Sequence, residues 1–158
     1  MNKKNFNKIV LVSLCDNFSN RLGTALSENL GMLFCDTKAL VEYELVDRHQ
    51  IEELCSVEYL QKCERRAIKH VASFENVVVS IGYDYLVRNF NLLEENALIV
   101  FVQLTQTFVK ENAEEINSIG FADRTADLKT IADVCITLRK TDIDFALEKV
   151  LTDLRRLV

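Results

Sequence analysis

The sequence predicts an α/β fold, a three-layer α/β/α sandwich built around a five-stranded parallel sheet. Two observations predict it. Short apolar runs rich in β-branched residues alternate along the chain with segments whose apolar residues recur at helical spacing. The runs are apolar at consecutive positions, as in strands that are buried on both faces of a parallel sheet. Because the chain has no proline, only four glycines and no linker-like tract, we predict a single domain over residues 1–158.

Five apolar runs are the predicted strands. They are rich in valine, isoleucine and leucine, and one of them, at residues 32–35, is short enough to lie at an edge of the sheet. The other four cover residues 9–12, 77–79, 97–104 and 132–138.

Helical patterns fill the intervals between these strands. The first follows residues 13–20 and ends at Gly31, a residue type that commonly terminates helices. The remaining patterns cover residues 51–54, 59–71, 108–116 and 143–157. Since strand and helix alternate, the strands should run parallel and their carboxyl ends should meet at one edge, where ligands of such sheets bind.

The rim at the carboxyl ends of the strands is the predicted functional region. It comprises Ser13–Asn20, Asp36, Gly82–Asp84 and Gln103–Thr105. The segment Ser13–Asn20 joins the first strand to the first helix, where nucleotide-binding proteins hold phosphate. It contains no glycine and no lysine, and we expect an eight-residue turn there.

Composition and charge argue against nucleic-acid binding, a membrane span and a zinc site. The net charge of -5 gives no basic surface for nucleic acid, and no apolar run approaches the roughly 20 residues of a membrane span. The five cysteines include no CxxC pair and only two histidines occur, so the sequence offers no metal site of the zinc type. We predict buried, reduced thiols at Cys15, Cys35 and Cys135, and a cytoplasmic location.

The rim segments, in this order and over nearly the whole chain, resemble the shikimate kinase family. That family has a strand, a GxxxxGK[ST] loop and an xGxxLAxxLG helix, which KIVLV, the turn and Leu22–Gly31 match without a gap. Its F-x-D-[ST]-D segment matches Phe34–Lys38 and its FRxxE helix matches Leu60–Glu64. Its glycine triplet matches Gly82–Asp84, and its R-x-P-L-Y-x-x-x-A-D segment matches Arg124–Asp133. The resemblance implies a P-loop kinase fold with strand order 2-3-1-4-5.

The resemblance also implies a nucleotide site at the turn, and here the residues depart from the family. Ser13 and Phe18 stand where the two glycines belong, and Ser19 replaces the lysine. Asn20 replaces the hydroxyl that would ligate Mg²⁺, and Asp16 adds a negative charge beside the expected phosphates. Glycine lets backbone N–H groups approach phosphate and lysine supplies the charge, so we predict a degenerate loop.

On the acceptor side, the resemblance assigns Asp36 to the catalytic position near the metal and the reacting hydroxyl. It assigns Glu64, Gly82 and Arg124 to substrate binding, with Arg124 at a carboxylate-binding position. Lys38 stands where a second aspartate would hold sugar-like hydroxyls.

Two further acceptor positions also differ from the family. Gln61 replaces a carboxylate-binding arginine, while Tyr83 and Asp84 replace two glycines.

These departures favour a catalytically inactive relative of shikimate kinase, with a non-catalytic binding, regulatory or structural role and no cofactor. Its partner would be another protein or a second copy of the chain. The alternative is an active small-molecule kinase that uses ATP and Mg²⁺ at an unusual nucleotide site. A third hypothesis is a sensor that binds a small carboxylate through Arg124 without ATP.

Some retained residues also have simpler interpretations. Asp36 is placed to cap the following helix, and Glu64 to form a local ion pair. Asp16, Asp36 and Asp84 together could suit a hard cation such as Mg²⁺ or Ca²⁺.

We also expect the former active-site cleft to be filled by the protein's own side chains. Phe18 and Tyr83 are bulky where the family has glycine, so both should point into the old phosphate and substrate space. Lys38 and Arg21 should then turn toward the rim aspartates.

Overall fold

The computed structural model of the chain describes residues 7–46, 57–95, 97–112 and 117–157, and its centre is a five-stranded sheet. Neighbouring strands are all parallel, and the order across the sheet is β2-β3-β1-β4-β5, which confirms the predicted fold and strand order. The strands are β1 (Lys8–Val12), β2 (Leu33–Asp36), β3 (Val77–Ser80), β4 (Leu98–Gln103) and β5 (Val134–Thr137).

Helices occupy the intervals between the strands. Within the described ranges they are α1 (Asp16–Leu30), α2 (Thr37–Val46), α3 (Val57–Ser73), α4 (Tyr83–Leu93), α5 (Gln106–Asn112), α6 (Ser118–Ile131) and α7 (Ile143–Arg155).

Three of the predicted helical patterns, at 59–71, 108–116 and 143–157, correspond to α3, α5 and α7. The pattern at 51–54 and residues 113–116 lie outside the described residues. The sequence patterns assigned no helix to α4 or α6.

Gly31 ends α1 as predicted. Its φ of 66° lies in the left-handed region, and its N–H donates to the carbonyl of Glu28. Among the described residues, no helix is both long enough and apolar enough to cross a bilayer.

The core lies on both faces of the sheet because successive residues of each central strand point to opposite sides. In β1, Ile9 and Leu11 face a cluster that includes Leu22 of α1. Val10 and Val12 face the other cluster, which includes Ile68 of α3. All five β1 residues are buried, and for residues 9–12 the consecutive apolar run predicted it.

The two edge strands depart from that pattern. Within the described residues, β2 and β5 each pair with a single neighbour, and all of their side chains except Ile136 are at least partly exposed. The prediction of buried thiols is therefore wrong for Cys35, which is half-buried on β2, and for Cys135, which is exposed on β5. It is correct for Cys15, whose side chain is buried.

Candidate functional site

The connection between β1 and α1 is shorter than the sequence suggested. Helix α1 begins at Asp16, so only Ser13, Leu14 and Cys15 separate it from β1. The Ser19 N–H donates to the Cys15 carbonyl over 3.0 Å, a helical bond at the start of α1. In a phosphate-binding unit the GxxxxGK[ST] loop lies between strand and helix. The expected eight-residue turn is therefore wrong from Asp16 onward, because these residues form helix instead.

Buried hydroxyl groups close the inside of this short turn. Ser13 and Ser19 are each 1% exposed, and their Oγ atoms lie 2.6 Å apart. The Ser13 hydroxyl donates to the Cys15 carbonyl over 2.8 Å, so its single proton is used there and Ser19 is the donor to Ser13. Ser13 Oγ also accepts from the Cys15 N–H over 3.2 Å. The side chain that replaces the family's lysine thus points inward and bonds its own turn.

Phe18 belongs to the core rather than to the cleft. It is 2% exposed and packs edge-to-face against Phe108, with ring centroids 5.8 Å apart. The expectation that Phe18 fills the phosphate space is wrong. Because α1 starts early, this position lies on the helix face that packs on the sheet.

Asn20 and Asp36 are joined by a side-chain hydrogen bond. The Asn20 amide donates to Oδ2 of Asp36 over 3.1 Å. The other carboxylate oxygen accepts from the N–H groups of Lys38 (3.1 Å) and Ala39 (3.4 Å) at the start of α2. Asp36 therefore has the capping role that its sequence position suggested.

A cavity of about 360 Å³ opens at the carboxyl ends of the strands. It brings together four residues of the predicted nucleotide and substrate positions, Ser13, Asp16, Gly82 and Arg124. The cleft is therefore open, and the expectation that side chains fill it is wrong.

The lining also includes residues that the sequence patterns did not single out. Among them are Tyr85 in the first turn of α4 and Asn112 at the end of α5. Predicting a helix that starts at Tyr83 would have placed Tyr85 in its first turn, next to the rim. No pattern in the sequence indicated Asn112.

The lip of the cleft is a contact between α4 and α6. Tyr83 lines the cavity as predicted, and its hydroxyl donates to Oδ2 of Asp127 over 2.5 Å. The Arg124 guanidinium lies over the Tyr83 ring, 5.1 Å from the centroid. The hydrogen bond to the Asp127 carboxylate raises the pKa of the Tyr83 phenol.

Gly82 lies against Asp16 at the floor of the same cleft. A Cβ atom placed on Gly82 would lie 3.4 Å from each carboxylate oxygen of Asp16. Gly82 is also the residue that precedes the first turn of α4. These are ordinary van der Waals distances, so the Asp16 carboxylate packs beside the start of α4 without the space there requiring glycine.

Glu64 does not line the cavity but forms a buried ionic cluster between α3 and α4. Its side chain accepts from Arg88 through Nε (3.1 Å) and Nη2 (2.5 Å), and from the Asn89 amide over 2.8 Å. Asn89 has non-helical backbone angles, φ -122° and ψ 19°, and its amide also bonds the carbonyl of Tyr85. Glu64 thus stabilises the irregular turn of α4, which matches the ion-pair interpretation. No pattern in the sequence indicated that Arg88 would be its partner.

The predicted charge pairing at the rim is absent in the part of the chain that the structure describes. There, neither Lys38 nor Arg21 forms an ion pair with an aspartate. No group of three potential metal-ligating side chains lies together among these residues either, so the hard-cation hypothesis for Asp16, Asp36 and Asp84 finds no support.

Known proteins resemble the chain in both sequence and structure, although no protein-family model matches it. The shikimate kinase of Caldicellulosiruptor saccharolyticus is 28% identical over 115 residues, which span 70% of this chain and 66% of that relative. The shikimate kinase of Sulfurihydrogenibium sp. is 25% identical over 164 residues, covering 94% and 98%. The crystal structure of shikimate kinase from Aquifex aeolicus superposes with a TM-score of 0.71 at 20% identity, covering 94% and 96%.

Proposed function

We propose that this chain, which is similar in sequence to two shikimate kinases, is a non-catalytic member of that family whose cleft binds a small carboxylate without nucleotide. The observation that carries the proposal is the early start of α1. Helix and the Ser13–Ser19 hydrogen bond occupy the segment in which the family holds phosphate.

The residues at the start of α1 do not fit a nucleotide. Phosphate binding needs glycines that let backbone N–H groups approach and a lysine that supplies charge, and residues 13–20 contain neither. The Asp16 carboxylate lines the same cavity. A carboxylate within about 4 to 6 Å of a phosphate costs on the order of 1 kcal/mol even where water screens it.

The residues near Asp36 do not fit the Mg²⁺ that accompanies ATP. One carboxylate oxygen accepts from the Asn20 amide and the other from two backbone N–H groups at the start of α2. A magnesium site needs carboxylate oxygens directed at the ion, with room for its water ligands. We therefore propose that the protein uses neither ATP nor Mg²⁺.

The carboxylate-binding side of the cleft supports a binding role. Arg124 lines the open cavity, and its guanidinium carbon lies 5.1 Å from the centroid of the Tyr83 ring. Among the described residues the guanidinium forms no salt bridge, so its N–H donors are available to a ligand. That arrangement suits the two oxygens of a carboxylate.

An active kinase with a rewritten nucleotide site is the second candidate. The open cavity and the retention of Asp36, Glu64 and Arg124 favour it. The Asp36 and Glu64 side chains, however, are both engaged in structural hydrogen bonds and do not line the cavity.

Thermal melting of the full chain distinguishes the two candidates. We expect the melting temperature to rise with shikimate and to stay unchanged with MgATP. The rise should disappear in Arg124→Met and persist in Arg66→Met, which removes an exposed arginine of α3. A rise with MgATP, or with MgATP and shikimate only in combination, would favour the kinase.

We also propose a cytoplasmic location. The described cysteines, Cys15, Cys35, Cys63 and Cys135, are all free thiols. Free thiols are typical of reducing compartments.

A further inference from the structure

We infer that the cleft takes a compact dianion, a small molecule with a carboxylate held by Arg124 and a second anionic group, carboxylate or phosphate, held by Lys38. This inference rests on the proposed function, because it names the ligand class of the same cleft. Its basis is the charge and the hydrogen-bond capacity of the residues that line the cavity.

Lys38 places a hydrogen-bond donor on a wall of the cavity where the family has an acceptor. It lies in the first turn of α2 and lines the cavity, where the family has an aspartate that holds hydroxyl groups. An aspartate accepts hydrogen bonds, whereas an ammonium group only donates them. A ligand group at this wall must therefore be an acceptor, and an anionic acceptor also satisfies the charge. Lys38 has no ion pair with any other described residue.

Arg124 supplies the second cation from α6. Within the described ranges its guanidinium contacts the Tyr83 ring and forms no salt bridge with a carboxylate. Asp127, one helical turn further along α6, bonds the Tyr83 hydroxyl instead. Among the described residues, the cleft therefore has two cationic side chains, on α2 and on α6, whose charges are not paired with a described carboxylate.

The cavity lining also includes two acidic residues, and helix N-termini offset part of their negative charge. Asp16 and Asp84 lie in the first turns of α1 and α4, where the helix N-terminus stabilises a carboxylate. Asp16 is moreover placed directly against Gly82. The helix ends thus offset part of their negative charge, and we expect the anionic groups of a ligand to bind at Lys38 and Arg124 rather than beside Asp16.

The size of the cavity limits the ligand. About 360 Å³ is near the lower end of the range for small-molecule sites, about 300 to 1,000 Å³. Tyr83 and Tyr85 form part of the wall. A compact molecule with two anionic ends fits this space better than a nucleotide.

Calorimetric titration with five probes tests the inference. Succinate and 3-phosphoglycerate carry two anionic groups, shikimate carries one carboxylate, inorganic phosphate tests a lone anion, and glutamine tests a zwitterion. We expect at least one of the two dianions to bind at least tenfold more tightly than each of the other three probes. Equal affinity for shikimate and both dianions, or the tightest binding by glutamine or by inorganic phosphate, would overturn the inference.

Variants then assign the second anionic group to Lys38. Lys38→Met should abolish the preference for a dianion and leave shikimate affinity within about twofold, whereas Lys38→Arg should retain the preference. Lys62→Met, which removes an exposed lysine of α3 outside the cavity, should change neither. A dianion preference that survives in Lys38→Met would refute the role of Lys38. Turnover of MgATP would instead refute the proposed function alone, because the dianion preference is measured without nucleotide.

Discussion

The side-chain amide of Asn20 donates a hydrogen bond to Oδ2 of Asp36 over 3.1 Å, which joins α1 to the end of β2. In the family, these two positions belong to the Mg²⁺ ligand of the phosphate loop and to the aspartate near the reacting hydroxyl. Here an amide donor faces the carboxylate, and backbone N–H groups of α2 occupy the other oxygen. On the proposal that the chain does not transfer phosphate, Asn20 and Asp36 have a structural role.

Asp36→Ala should therefore lower the free energy of unfolding by about 1 to 2 kcal/mol, because it removes both the cap of α2 and the bond to Asn20. Urea denaturation measures the change. Asp142→Ala is the matched control, since Asp142 caps α7 through the Phe145 N–H without an Asn partner. It should cost less than Asp36→Ala. Unchanged stability in Asp36→Ala would argue that Asp36 is retained for chemistry.

Phe18→Ala should lower the free energy of unfolding by about 3 to 5 kcal/mol, as expected for a buried phenylalanine that leaves a cavity. The ring is 2% exposed and packs against Phe108. Phe145→Ala is the control, because that ring is 40% exposed, and it should cost less than about 1 kcal/mol. If Phe18→Ala were as mild as the control, the residue would face the cleft after all.

Arg88→Met should destabilise the fold by about 2 to 4 kcal/mol, because the buried Glu64 carboxylate loses its cationic partner. The double variant Glu64→Gln/Arg88→Met should be more stable than Arg88→Met alone, since no unpaired charge remains buried. Arg156→Met removes an exposed pair whose atoms are 4.0 Å apart, and it should have little effect. Denaturation experiments measure the loss of stability in Glu64→Gln, in Arg88→Met and in the double variant. If the loss in the double variant equalled the sum of the two single losses, the ionic cluster would be contradicted.

Tyr83→Phe should change how stability depends on alkaline pH. The hydrogen bond to Asp127 raises the pKa of the folded phenol, so its contribution is complete below about pH 10 and is lost as pH rises through the folded value. We expect Tyr83→Phe to lower stability at pH 8 by about 0.5 kcal/mol and to flatten the alkaline decline.

The control for this experiment is Tyr43→Phe, because the Tyr43 side chain is 64% exposed, and it should leave the decline intact. Burial raises the pKa of Tyr85 as well, so Tyr85 still contributes to the loss of stability at alkaline pH in both variants. An identical decline in Tyr83→Phe and the wild-type chain would refute the bond between Tyr83 and Asp127.

The sequence predicted the sheet well because its central strands are apolar on both faces. It predicted poorly which side chains of the edge strands are buried. A cysteine such as Cys135 has the same apolar character in the sequence whether or not a neighbouring element covers it. The family pattern also carried information on packing. The helix glycine of α1 matches Gly23, where a Cβ atom would lie 2.6 Å from the Phe34 ring, so a larger residue there would displace that ring.

The candidate site was harder to predict because it depends on where α1 starts. Aligning residues 13–20 with a phosphate loop placed Phe18 at a glycine position and so in the cleft. The helix instead begins at Asp16, which rotates Phe18 into the core and leaves the cleft open. The pairing of Glu64 with Arg88 joins residues 24 positions apart on different helices, and local patterns do not encode such contacts.

Isothermal titration calorimetry of the full chain with MgATP tests the central claim most directly. Because α1 and the Ser13–Ser19 bond occupy the phosphate position, we predict no detectable heat of binding at millimolar MgATP, with or without shikimate. A dissociation constant in the micromolar range, accompanied by transfer of phosphate to shikimate that is lost in Asp36→Asn, would contradict the account.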